Sequence, residues 1–240
     1  MADLRFVRRS SPPLLVMDEK TAKKLLVSAD AAAAQRMAIA VAEELDGLAA
    51  QVWAFGMAEG ARRAVAIVAQ MGAELAVGAA QLYKASRWYA GAALVRQLIE
   101  VEYLLFLFAT DDSEPERWLN TSDAEAKKTF SPSQMRERSA GRFLVDEYQT
   151  HCKIGGHPRV NGHLLLKEHI TPIKTSPPKL FDPAIQWVDL AQHLERLSAH
   201  YMAAVARHSP TNVYPDRFAK IAQLASDWRT TDPDRDIKHI

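Results

Sequence analysis

The chain has a single cysteine, Cys152, in 240 residues. That excludes an intramolecular disulfide and suits a reducing compartment, so a cytoplasmic location is expected. A charge excess is missing as well. Lys plus Arg number 30 against 29 for Asp plus Glu, and so even a balance argues against a bulk nucleic-acid binder or a membrane-surface protein. The signatures of several enzyme classes are absent. There is no G-x-x-x-x-G-K-[ST] phosphate loop, no G-x-G-x-x-G, no H-E-x-x-H and no G-x-S-x-G. Nucleotide-driven enzymes, zincins and α/β-hydrolases are therefore unsupported. The E-x-x-H pairs of a di-iron bundle are missing at Glu100 and Glu102, which are followed at that spacing by Tyr103 and Leu105. No segment alternates with a strand period over a useful length, and no internal repeat is visible.

An uninterrupted membrane span is lacking too. The most apolar stretch, residues 86–110, carries Arg96, Glu100 and Glu102 near its middle. Its uncharged run falls short of the ~20 residues a span needs, so a buried helix of a soluble protein is expected, with no membrane partner. The opening residues show no leader-like apolar core before charge returns.

What is present is helix periodicity. Hydrophobic residues make up 48% and charged residues 25% of the chain, values that suit one folded domain. Residues 1–16 give no period and are expected to form a flexible arm. A short helix is expected over 18–29. Asp30 is placed to cap a helix to about residue 55, whose inward face is Met37, Val41, Leu45, Leu48 and Val52. A third helix is expected over 58–84 with Val65, Val68, Met71, Leu75 and Leu82 inward. Ser86 is placed to cap the 86–110 helix, which is apolar almost all round. Short helices follow near Pro115 and Pro132, and another over 143–152 has Phe143, Leu144 and Tyr148 as its apolar side. Residues 154–182 are rich in glycine, proline and histidine and are expected to form an irregular loop, anchored by 164–166. A long helix should then run from Pro183 to about His208, and a last one from 215 to 228. Residues 231–240 are expected to be a flexible tail. The fold class is all-α, a single-domain helical bundle of about four long helices plus short ones over residues 17–230.

Three constellations carry chemistry. Arg96 and Glu100 lie four apart on one helix face, with Tyr103 continuing the stripe and Glu102 pointing elsewhere. They are expected to form an internal ion pair or to line a cleft with a histidine from the 151–163 loop. His151, Cys152, His157 and His163 cluster within that loop region, but their spacings match no zinc pattern, and neither metal nor cofactor is assigned. Cys152 reads as a small buried residue. Arg-x-x-x-His occurs twice, at Arg159/His163 and at Arg196/His200. An arginine that holds a phosphate beside a proton-moving histidine suits metal-free RNA cleavage through the 2′-hydroxyl. For His193, Arg196 and His200 the simpler expectation is the wet face of a surface helix.

The helix ALVRQLIEVEYLLFL, then Trp118, Tyr148 and the turn Gly156-His157-Pro158, resembles a group of bacterial helical proteins related to the HEPN superfamily, over roughly residues 60–165. The resemblance implies a compact helical bundle that often dimerises, here a homodimer. It also implies a place in a toxin–antitoxin, abortive-infection or other defence system, with metal-independent ribonuclease activity in many members. By it Arg96, Glu100 and His157 map to the family's positions. The active members separate arginine and histidine by more than the three residues found between Arg159 and His163 or between Arg196 and His200. Three readings stand. The first is a HEPN-like ribonuclease acting on RNA through Arg96, Glu100, His157, Arg159 and His163. The second is a non-catalytic module that binds a partner protein. The third is a metal- or small-ligand-binding bundle.

Overall fold

Small residues decide how closely the helices approach. In the computed structural model, which describes residues 31–56, 60–158, 162, 165–166, 183–208 and 215–230, every regular element among the described residues is helical. The helices are α1 (Ala31–Gly56), α2 (Gly60–Lys84), α3 (Trp88–Thr110), α4 (Glu114–Asn120), α5 (Asp123–Thr129), α6 (Pro132–Glu137), α7 (Val145–His151), α8 (Pro183–His208) and α9 (Pro215–Thr230). A π-helical turn, Cys152–Gly156, continues α7. The expected arm, the 18–29 helix, the Asp30 cap, most of the 154–182 loop and the tail lie outside the described residues.

Helices α1, α2, α3 and α8 form the core. The α1 helix packs on α2 and α8, α3 packs on α2 and α8, and α9 covers α1. The expected α1 face is observed, with Met37, Val41, Leu45, Leu48 and Val52 all buried. In α2 Val65 and Val68 are buried as expected, but alanines supply most of the inward face. Ala64, Ala69, Ala73, Ala76 and Ala80 are buried, whereas Met71, expected inward, is exposed. Gly72 explains the choice. A Cβ there would sit 3.0 Å from Val101 of α3 and 3.7 Å from Leu197 of α8. Larger side chains on this face would push the neighbouring helices apart. Among the described residues α2 is also the one helix long and apolar enough to cross a membrane, and half of its most apolar stretch is buried.

The central helix α3 buries Val95, Leu98, Ile99, Leu105 and Phe108 almost completely. Each such side chain contributes roughly 1.5–3 kcal/mol relative to exposure. Ser86 does not cap it. Ser86 occupies the left-handed region at φ 56° in the turn between α2 and α3, and Arg87 stands at the N-cap with no side-chain cap bond. Residues advance about 100° round a helix, so Glu102 faces nearly opposite to Glu100. Glu100 points to the rim of the bundle, and Glu102 points inward to α8.

The short helix α7 lies over α3. Its expected apolar side holds only in part, because Leu144 is exposed while Phe143 is buried. Glycine lets the following turn lie close. A Cβ at Gly155 would fall 2.6 Å from the Ala92 carbonyl carbon and 2.7 Å from the Ala93 nitrogen. Both are backbone atoms that cannot move aside. Beyond the turn, of the expected anchor residues Leu165 is buried and Leu166 is exposed.

Candidate functional site

Helix α7 carries two pairs of side chains on adjacent faces. Tyr148 and Cys152, four apart, face the rim of α3. Glu147 and His151, also four apart, face the interior. The two faces belong to two different constellations.

At the rim, Arg96 Nη2 lies 2.9 Å from Glu100 Oε1, so the expected ion pair forms. Tyr148 completes it. Arg96 Nη2 donates to Tyr148 Oη at 2.7 Å, and Tyr148 Oη donates to Glu100 Oε1 at 2.6 Å. Arg96 Nε donates to Cys152 Sγ at 3.4 Å. Cys152 is thus half-buried on a π turn rather than packed in a helix core. Burial and the Glu100 carboxylate hold the Tyr148 phenol well above its usual range. Tyr103, expected to continue the stripe, is instead fully buried, its ring 4.2 Å from that of Phe143. The rim borders a shallow groove of about 400 Å³ lined largely by Leu104, Trp118, Phe130 and Met135.

Of the loop histidines expected to meet Arg96 and Glu100, His157 does not join them. His157 is exposed, and no hydrogen bond or ion pair links it to either residue. The turn does approach, since a Cβ at Gly156 would collide with Arg96 Cδ. Arg159 and His163 lie outside the described residues. His151 parts from its sequence neighbours and turns inward.

The interior constellation draws on three helices: Glu102 from α3, Glu147 and His151 from α7, and Asp189, His193 and Arg196 from α8. All but Arg196 are essentially sealed from solvent, and Arg196 keeps 11% of its side-chain surface. This overturns the wet-face expectation for α8. His193, Arg196 and His200 face the core because α8 runs between α1, α2 and α3.

Three donor atoms face one another. His151 Nε2 lies 3.2 Å from His193 Nε2 and 3.6 Å from Asp189 Oδ1, and His193 Nε2 lies 3.8 Å from Asp189 Oδ1. Behind them, Glu102 Oε2 is 3.1 Å from His193 Nδ1, and Arg196 Nη2 approaches the same Nδ1 at 2.7 Å. Arg196 also donates to Glu147 through a short bond. Its Nε is 2.9 Å from Glu102 Oε1, in ion contact but not aligned as a hydrogen bond. Two hydrogen-bonding arrangements of His193 fit. Either Nδ1–H donates to Glu102, leaving Nε2 free as a ligand, or Nδ1 accepts from Arg196 and Nε2–H points at His151.

The electrostatics are lopsided. Three buried carboxylates (Glu102, Glu147 and Asp189) face one buried guanidinium, and Arg142 acts on Glu102 only from a half-buried position. Burial, then the Glu147 charge, pushes the Asp189 carboxyl well above its usual range, and Arg196 opposes this. Burial pushes the His193 imidazole down to about 3 and His151 well below its usual range, so both rings are neutral. Neither oxygen of Asp189 has a hydrogen-bond partner among the described residues. A buried carboxyl left unpaired is costly.

The sequence motifs reached this group only in part, through His151 of the histidine cluster and Arg196 of the Arg196/His200 pair. Its signal is an acid followed four residues later by histidine, found at Glu147/His151 and at Asp189/His193. On a helix that spacing puts both side chains on one face. The chain matches no family model, no curated protein and no solved structure.

Proposed function

We propose that the protein is a metal-binding helical bundle in which His151, Asp189 and His193 hold one divalent transition-metal ion. Of the three readings drawn from the sequence, this is the one with a cluster of described residues behind it. The observation that carries it is the donor triangle. Nitrogen and oxygen ligands about 2.0–2.1 Å from a tetrahedral ion lie ~3.3–3.4 Å from each other. The three edges here are 3.2, 3.6 and 3.8 Å. Two imidazoles with one carboxylate suit zinc or ferrous iron rather than calcium or magnesium. Glu102 behind His193 supplies the carboxylate that fixes the tautomer and orientation of a ligating imidazole. A divalent cation also explains two features that a simple hydrogen-bonded network leaves open. It gives Asp189 a partner, and it balances the three carboxylates against one guanidinium.

The metal would join α7 to α8 beside α3. The role that follows is architectural, holding the short helix and its π turn on the core so that the Arg96–Glu100–Tyr148 rim keeps its shape. Titration of chelator-stripped protein with zinc, followed by calorimetry, tests this. One equivalent per chain is expected, lost in His151→Ala and His193→Ala and kept in Arg96→Ala. Absence of uptake, or uptake that ignores both histidine substitutions, would contradict the reading.

A further inference from the structure

Arg196 can only donate. A guanidinium carries five N–H bonds, has no acceptor and keeps its charge in proteins. Its Nη2 lies 2.7 Å from His193 Nδ1, while donating to Glu147 through a short bond and standing 3.4 Å from Glu102 Oε2. At that distance a donor faces a ring nitrogen only where the nitrogen offers a lone pair, so Nδ1 is unprotonated in this arrangement. The His193 ring is buried and neutral, so its one proton sits on Nε2. Nε2–H then points at His151 Nε2, 3.2 Å away. The two imidazoles are thereby hydrogen-bonded along the edge that a metal ion would span.

We infer that Arg196 holds His193 in the tautomer that cannot ligate, and that metal uptake moves the ring's proton from Nε2 to Nδ1. This rests on the proposed function. A ligating imidazole must offer its nitrogen as a lone pair. Nε2 therefore loses its proton as Nδ1 gains one, and Nδ1–H donates to Glu102 Oε2, 3.1 Å away. The ring stays neutral, and the number of protons on His193 does not change. Arg196 Nη2 must then draw back from Nδ1, because two N–H groups cannot face each other across 2.7 Å. It need not leave the carboxylates. Glu147 keeps its bond from Arg196, and Arg196 Nε stays 2.9 Å from Glu102 Oε1. Arg196 is thus a positioning residue that competes with the ion for one imidazole, and the strength of its bond to Nδ1 sets how tightly the site holds metal.

Nitrogen-15 NMR of the full chain with labelled histidine reports which ring nitrogen carries the proton. In chelator-stripped protein His193 should show Nε2–H and an unprotonated Nδ1. One equivalent of zinc should reverse this and give Nδ1–H. A metal-free chain whose His193 already carries its proton on Nδ1 would overturn the inference. Arg196→Met removes the competing donor. Its metal-free His193 should adopt the Nδ1–H form, and its zinc affinity should rise about 10-fold or more, the worth of one hydrogen bond from a charged group. A folded variant with an unchanged tautomer, or with zinc affinity unchanged or weakened, would also overturn the inference. Should the variant not fold, the tautomers of the unsubstituted chain decide. Zinc that leaves the signals of both His151 and His193 unmoved would overturn the proposed function itself.

Discussion

The Nε2 atoms of His151 and His193 lie 3.2 Å apart although 42 residues separate them in sequence. Both rings are buried and neutral, and each turns its Nε2 toward the same carboxylate, Asp189. The fold brings them together because α7 is pinned to α3 by Gly155 while α8 runs through the core.

Ligand binding to the folded state alone adds stability by mass action. Zinc at a hundredfold excess over its Kd should add about 2.7 kcal/mol. For a chain of this size that is a rise of roughly 5–10 °C in Tm. Thermal unfolding with and without zinc checks this, and His193→Ala should show no rise.

Asp189 tests the cost of the unpaired carboxyl. In the metal-free chain, Asp189→Leu removes a buried acid that has no hydrogen-bond partner among the described residues. A buried polar group without a hydrogen-bond partner costs stability, so an apolar side chain of similar size in its place is neutral or stabilising. Urea unfolding should show metal-free stability unchanged or raised by about 1 kcal/mol, and the same variant should lose the zinc-induced gain entirely.

Much of the fold was legible, and the centre was not, for the same reason. Periodicity identifies faces, and the inward face of α1 came out as expected through Met37, as did the all-round burial of α3 through Leu98. It reads charge as solvent-facing. That rule failed at His193 and Arg196, which are buried because they pair with Glu102 and Glu147 of two other helices. Periodicity also ranks large apolar residues as inward, which misplaced Met71 where close helix approach required alanine and glycine. The Arg96–Glu100 pair was legible from its spacing. Its partner Tyr148 was not, since a contact 48 residues away leaves no local trace.

The rim should behave as a separate unit. Tyr148→Phe removes two hydrogen bonds to charged groups, at a cost of about 2 kcal/mol. Urea unfolding should show that loss, while the zinc affinity of the variant stays within a few-fold of the unsubstituted chain.

His200 sets an acid limit. It packs edge-on against Phe106 and Phe143, and its Nε2 has no hydrogen-bond partner among the described residues. Burial pulls it from 6.5 down to about 4, with Arg142 and Arg196 lowering it further and Glu102 opposing. The neutral ring is the folded form, so its contribution is complete above pH 6.5 and is lost as pH falls from there toward 4. That loss is roughly 3 kcal/mol. His151 and His193 act in the same direction, and Asp189, pushed upward, acts in the opposite one. Comparison with His200→Phe isolates the term. The variant should lose less stability between pH 6.5 and 4 in unfolding measured at fixed temperature.

The most direct test is zinc K-edge X-ray absorption on the loaded protein. Four nitrogen or oxygen neighbours at about 2.0 Å, with the outer-shell pattern of two imidazoles, are expected. A six-coordinate oxygen shell without imidazole scattering would place the ion elsewhere and contradict the account.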